Sequence, residues 1–124
     1  MEILASRFLL HPNDYDRSVA FYRDTLGLHP MREFGKGGGM LEITGRSDAP
    51  PGPSTELWLQ VRDVGALERS LVAAQVPIVE SAVRKPWGLL ELRAQDPDGL
   101  VLVFVEIPPD HPLRRDPRSL PETE

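Results

Sequence analysis

The sequence contains no cysteine, only two lysines and few aromatic residues, which make up 6% of its 124 residues. The absence of cysteine excludes disulfides, thiolate metal sites and a cysteine nucleophile. The formal net charge of −5 argues against non-specific nucleic-acid binding, because such binding needs a basic surface. No apolar run approaches the length of a membrane span, so neither nucleic acid nor a membrane is an expected partner.

The first ten residues, MEILASRFLL, lack the features of a signal peptide. Glu2 stands where a basic segment belongs, and Arg7 interrupts the apolar stretch. The hydrophobic fraction of 40% and the mixed charges are typical of a globular chain. We therefore expect a cytoplasmic globular protein.

The first half of the chain predicts a strand, a helix and further strands. Alternation predicts a strand over residues 3–10, and Asn13 or Asp14 can cap the helix that follows. The apolar face of that helix consists of Tyr15, Val19, Tyr22 and Leu26, and Gly27 is placed to end the helix. Two more strands are expected at 28–34 and 40–44, joined by a glycine-rich turn at 35–39. The proline-rich stretch that follows predicts a linker over 48–54.

The second half repeats this pattern. It predicts a strand over 55–61, a helix that begins after Asp63, and strands near 76–84, 87–95 and 100–107. The sequence Asp-Pro-Asp-Gly at 96–99 is a strong turn signal between the last two strands. When the halves are superposed, the first is shorter by about 12 residues, the length of one strand and a turn.

Three features resemble the vicinal-oxygen-chelate superfamily of glyoxalases, bleomycin-resistance proteins and extradiol dioxygenases. They are SVAFYRDTLGL at 18–28, the DPDG turn with its strand, and the twice-used strand–helix–strands unit. The resemblance covers about residues 3–107. It implies an α+β fold of two tandem βαβββ-type modules, the first shortened by about one strand, that form a cupped mixed sheet with outer helices. The expected domain spans 1–107, with modules at 1–47 and 55–107 and a proline-rich charged tail at 108–124, and the chain is expected to form a homodimer.

The resemblance also implies four metal-ligand positions, which fall on Arg7, Glu42, Glu56 and Val103. Arginine stays protonated and valine has no donor atom, so neither can bind a metal. We therefore expect no metal cofactor, with Arg7 neutralising Glu42 or Glu56 in place of the cation. The alternative is a divalent metal held by His11, Glu42 and Glu56.

Strand alternation separates a cavity-facing set from an apolar set that should pack on the helices. The apolar set is Phe8, Leu10, Leu41, Ile43, Leu57, Leu59, Leu102 and Phe104. The predicted ligand-binding residues are Arg7, Leu9, Met40, Glu42, Glu56, Trp58, Gln60, Trp87, Arg93 and Val103. The same polar residues would also suit an ion-paired interface between the modules, and either tryptophan would suit a core or a dimer interface.

The roles of four residues are less specific. Glu91 and Arg93 either line the pocket or pair with each other at a sheet edge, and the sequence does not choose. His29 and His111 are expected in solvent.

The leading hypothesis is metal-independent binding of a small organic molecule, resembling the antibiotic-sequestering branch of the superfamily. One alternative is an enzyme, namely a lyase, isomerase or dioxygenase with an atypical metal site, or metal-free acid–base chemistry on Glu42 or Glu56. The other is an association domain with a vestigial pocket. The glycines at 37–39 do not form a phosphate loop, since the GxxxxGK[ST] order is missing.

Overall fold

A computed structural model describes residues 2–4, 7–28, 41–52 and 54–112. The fold is α+β, as predicted. The chain forms two compact units, which are residues 1–52 with Pro97–Gly99 (unit 1) and residues 53–96 with 100–124 (unit 2). None of the described helices is long and apolar enough to cross a membrane.

Unit 1 contains a short parallel strand pair and one helix. Strand β1 (Phe8–Leu10) pairs with β2 (Leu41–Ile43) in the register Leu9↔Glu42. Helix α1 (Tyr15–Ala20) begins where predicted, because the Asp14 side chain accepts a hydrogen bond from the Arg17 amide at 3.1 Å.

A regular helix was predicted from Tyr15 through Leu26, but its second half is not a regular α-helix. After α1 it continues as a π-helical turn over Phe21–Thr25, in which the Leu26 amide donates to the Phe21 carbonyl. The chain then leaves the helix at Gly27, whose φ of 77° is the left-handed conformation that glycine adopts easily.

Two predictions about the first strand are wrong. The strand was expected over residues 3–10, but Ile3, Leu4 and Arg7 lie outside it, and β1 covers Phe8–Leu10. Ile3 and Leu4 are 74% and 85% exposed. Phe8 was expected to pack under a helix, but it is exposed, whereas its strand partner Leu41 is buried. The predicted strand at 28–34, the glycine turn, His29 and Met40 lie outside the described residues, apart from Leu28, which is not in a strand.

Unit 2 has the predicted strand–helix–three-strand order. Its elements are β3 (Glu56–Gln60), α2 (Val64–Ala73), β4 (Ile78–Arg84), β5 (Leu90–Gln95) and β6 (Val101–Glu106). The spatial order is β3-β6-β5-β4, with β3 parallel to β6 and the other pairs antiparallel. Asp63 caps α2 by accepting from the Ala66 amide at 3.0 Å.

One face of this sheet packs on α2. Its buried residues include Leu92, Leu102 and Phe104, and they share the α2 side with Leu71, which is fully buried. On the same side Glu106 accepts a hydrogen bond from the Val64 amide at 3.0 Å, at the first turn of α2. The apolar parity predicted for these strands is thus confirmed in unit 2.

The opposite face, here called the polar face, carries the residues of interest. Because side chains alternate along a strand, the register assigns these residues to it. They are Glu56, Trp58 and Gln60 of β3, Val101, Val103 and Val105 of β6, Glu91, Arg93 and Gln95 of β5, and Glu80 and Val83 of β4.

The predicted turn between β5 and β6 is present, and its residues Pro97–Gly99 belong to unit 1. Leu100 donates its amide to the Asp96 side chain at 2.9 Å, and Gly99 has a φ of 93°. Asp98 accepts a hydrogen bond from the Asn13 amide at 3.1 Å. This bond attaches the turn to the segment between β1 and α1.

Candidate functional site

The polar face of unit 2 carries a network of charged side chains centred on Arg93. Its Nη1 lies 3.1 Å from Glu91 Oε1 and 3.4 Å from Glu80 Oε1, and its Nε lies 3.4 Å from Glu56 Oε2. The strand register explains this convergence, since Arg93 stands directly opposite Glu80 on β4 and diagonally from Glu56. Glu91 is only 5% exposed, so its contact with Arg93 is the least screened of the three.

Two further groups complete this Arg93 network. Lys85 Nζ lies 2.9 and 2.8 Å from the two carboxylate oxygens of Glu80. Trp87 Nε1 donates to Glu91 Oε2 at 2.8 Å. The network therefore holds three carboxylates and two cations, a formal sum of −1, and Glu91 has a partner on each oxygen.

The ion pairs shift the pKa values of two members. The hydrogen bond from Lys85 holds the pKa of Glu80 below its ordinary value, against an opposing effect of burial, and the charges of Lys85 and Arg93 add to the lowering. Burial would lower the pKa of Arg93, but the hydrogen bonds and charges of Glu56 and Glu91 outweigh it and raise that pKa. Both shifts favour the charged forms of Glu80 and Arg93 near neutral pH.

Two half-exposed indoles accompany this network. Trp58 is 51% exposed and stands opposite Val103 on the polar face. Trp87 is 57% exposed, lies in the turn between β4 and β5, and is tied to the polar face through Glu91. Exposed indoles next to fixed polar groups are suited to stacking on a flat organic molecule and orienting it.

Val103 and Gln60 occupy different environments on this face. Val103 is 4% exposed and clusters with Leu89, Val105 and Ile107, so it serves as part of an apolar floor. Gln60 is half-buried at the end of β3.

Unit 1 carries its own polar pair. Arg7 Nη1 lies 2.6 Å from Glu42 Oε1, and the two side chains are 45% and 22% exposed. Leu9 stands opposite Glu42 in the strand register and is 45% exposed. Of the two carboxylates considered as partners of Arg7, it is Glu42 that pairs with it, whereas Glu56 pairs with Arg93.

The His11 ring makes a hydrogen bond to the backbone. Its Nδ1 lies 2.7 Å from the Thr44 carbonyl oxygen, so this nitrogen carries the proton and donates. The ring also lies against Gly45, where an added Cβ would be 3.1 Å from Nδ1. Only Nε2 of His11 remains free to accept.

The donor set at the family's ligand positions does not fit a divalent metal. Arg7 and Val103 cannot ligate, and each of the two carboxylates already has a guanidinium partner. Among the described residues, no three His, Asp or Glu side chains form a group that could hold a metal ion.

Several members of the network escaped the sequence reasoning. Glu80 and Lys85 were not selected, because a register irregularity between Ile78 and Glu80 breaks the alternation of β4. Glu91, which the sequence left undecided, pairs with Arg93. The expectation that His111 lies free in solvent is wrong, since it is half-buried and bonded to the Trp87 carbonyl.

Comparison with known proteins identifies the class. The sequence profile of the glyoxalase/bleomycin resistance protein/dioxygenase superfamily matches residues 5–104. The chain therefore belongs to this superfamily, which confirms the resemblance found in the sequence. No significant match is found among curated proteins.

Solved structures agree with this assignment. A glyoxalase-related enzyme from Fulvimarina pelagi is 25% identical, with a TM-score of 0.68 over 86% of this chain and 88% of that one. A lactoylglutathione lyase from Agrobacterium tumefaciens is 23% identical, with a TM-score of 0.62 over 86% and 96%. A protein of unknown function from A. tumefaciens strain C58 is 24% identical, with a TM-score of 0.70 over 86% and 95%. At these identities the structural likeness establishes the fold.

Proposed function

We propose that this protein binds a small organic molecule, without a metal, against the polar face of the unit 2 sheet. The observation that supports the proposal is the pairing of each carboxylate at the family's ligand positions with an arginine, Glu42 with Arg7 and Glu56 with Arg93. A divalent ion would have to displace both guanidinium groups. The carboxylates at these positions thus serve ion pairs rather than metal coordination.

The ligand contacts come from the indoles and the network. Trp58 and Trp87 offer flat apolar surface, and Arg93 and Glu56 at the margin offer charged hydrogen-bonding groups. Gln60 and the floor around Val103 complete the surface. Arg7, Leu9 and Glu42 of unit 1 remain predicted ligand residues, as does Met40. Enclosure of a toxic compound such as an antibiotic is the cellular role that this binding would serve, in the cytoplasm.

The experiment is a thermal-shift panel of drug-like aromatic compounds, run on protein stripped with a chelator. We expect at least one compound to raise the melting temperature without added metal. Trp58→Ala should abolish that shift and Trp58→Phe should keep most of it. Tyr15→Ala, which removes a 41% exposed aromatic side chain from unit 1, is the matched control and should leave the shift unchanged.

Metal analysis of the purified protein is the measurement that can contradict the proposal. Stoichiometric bound metal that is lost in Glu42→Gln or Glu56→Gln would overturn it. That result would support the second candidate, a metal-dependent lyase, isomerase or dioxygenase. The observation that favours this candidate is the partial exposure of the Glu42 and Glu56 side chains, 22% and 44%, which leaves both accessible to a substrate.

We also propose that the chain forms a homodimer. Unit 1 exposes Ile3, Leu4 and Leu9, and exposed apolar side chains close together in the sequence are typical of association surfaces. Light scattering tests the oligomeric state, and Leu4→Glu is expected to convert the dimer into monomers. Val72→Glu on α2, at another exposed apolar position, is the control. A protein that is dimeric but shifts with no compound would favour the association role instead.

A further inference from the structure

The chain after β6 folds back onto unit 2 instead of leaving it. Ile107 is 3% exposed and packs with Leu89, Val103 and Val105. Pro108 is buried, and its carbonyl accepts a hydrogen bond from the His111 amide at 3.0 Å. These contacts form a turn over 108–111 that brings the His111 ring to the connection between β4 and β5.

The His111 ring makes two specific contacts there. Its Nε2 lies 2.9 Å from the Trp87 carbonyl oxygen. A carbonyl can only accept, so Nε2 carries the proton and donates. The ring edge also lies against Gly88, where an added Cβ would be 3.0 Å from His111 Cδ2. Few real Cβ contacts are so short, and the φ of 94° at this position also favours glycine, so Gly88 suits the close approach of His111.

Trp87 is therefore held at both ends. His111 fixes its backbone carbonyl, and Glu91 fixes its indole through the 2.8 Å bond from Nε1. Glu91 in turn contacts Arg93 at 3.1 Å. A continuous series of hydrogen bonds thus links the segment after β6 to the centre of the Arg93 network.

We infer that His111 is a positioning residue, which holds Trp87 in the orientation that the proposed ligand surface requires. It acts through Trp87 and does not itself touch the ligand. The backbone bond restrains the turn, while the buried Glu91 sets the rotation of the indole. Without His111, the indole would lose its fixed geometry and a ligand would have to order it on binding. The consequence for binding rests on the proposed function, but the positioning of Trp87 does not.

The first arm of the test uses the protein without ligand. Trp58→Phe leaves Trp87 as the sole tryptophan, since the sequence contains two. In this background, His111→Ala should raise acrylamide quenching of Trp87 by up to about 1.8-fold, the ratio of full exposure to the present 57%. His111→Gln places an amide donor at the reach of Nε2 and should restore the original quenching, whereas the shorter His111→Asn should not.

A control separates local loosening from general destabilisation. Asp63→Ala removes the cap of α2, a loss of similar size on another element. It should leave Trp87 quenching unchanged. Equal quenching in the parent and His111→Ala proteins would overturn the inference.

The second arm measures affinity for the compound that gives the largest metal-free thermal shift. The binding measurement is made with Trp58 intact. His111→Ala should weaken binding by about tenfold, the order expected when one anchor side chain must be ordered by the ligand, and His111→Gln should recover it. Unchanged affinity in His111→Ala would refute the role in binding. If no compound shifts the wild-type protein while quenching still responds to His111, the proposed function fails and the positioning of Trp87 stands.

Discussion

Replacement of Arg93 by methionine should destabilise the protein more than any other single change on the polar face. Among the described residues, Arg93 is the one cation that contacts Glu56, Glu80 and Glu91 together. Methionine keeps much of the aliphatic volume but removes the charge and its three contacts. The variant leaves three carboxylates near one another, with Lys85 as the remaining cation of the network.

The expected cost follows from the burial of the partners. Removal of one member of a fully buried ion pair costs about 3–5 kcal/mol. Here Glu91 is 5% exposed, but the Arg93 side chain is 25% exposed, and Trp87 continues to donate to Glu91. We therefore expect about 2 kcal/mol, which corresponds to a fall in melting temperature of about 8 °C for a domain of this size.

The assay is thermal and urea unfolding of Arg93→Met, Glu91→Gln and the double variant. The double variant should lose less than the sum of the single losses, with a coupling of about 1 kcal/mol or more. Arg62→Met, at an exposed position after β3, is the control and should change stability by less than about 0.5 kcal/mol. If Arg93→Met melts together with Arg62→Met, the network is only a set of screened surface charges and the reasoning is refuted.

Three further perturbations test other parts of the molecule by unfolding measurements. The lowered pKa of Glu80, due first to Lys85, stabilises the folded state above the unfolded carboxyl pKa and is lost as pH falls through the folded value. Glu80→Gln should therefore flatten the acid limb of stability against pH, and an unchanged limb would contradict this. Asp98→Ala should cost about 1 kcal/mol by freeing the 96–99 turn, with Asp98→Asn closer to wild type. Gly45→Ala should cost about 1–2 kcal/mol, because its φ is 68° and its Cβ would meet His11 at 3.1 Å; a neutral result would mean that the loop relaxes freely.

The sequence predicted the architecture well where local signals were strong. Asp14 and Asp63 mark both helix starts, and the Asp-Pro-Asp-Gly turn lies where its residues placed it. These are short-range effects, since a cap or turn depends on residues within four positions. Strands β3, β5 and β6 of unit 2 were found for the same reason, since their apolar alternation is regular, whereas β4 contains register irregularities.

The failures arose where the structure depends on distant partners. Ile3 and Leu4 have strand-like character, but both lie outside β1 and are exposed. The contacts of Arg93 with Glu80 and Glu56 depend on the β5 register against β4 and β6. His111 sits in a proline-rich tail whose composition suggests solvent exposure, and only the fold-back of 107–111 gives it a partner.

The two units neutralise their carboxylates by different means. Arg7 stands at one of the family's own ligand positions, so its pairing with Glu42 was accessible to sequence reasoning. Arg93 does not stand at such a position, and it reaches Glu56 diagonally across β6. A metal at Glu42 would have to break the pair with Arg7, and a metal at Glu56 would have to break the pair with Arg93. We therefore predict that reversion of Arg7 alone to a ligating residue would not restore metal binding, since Glu56 would remain paired with Arg93.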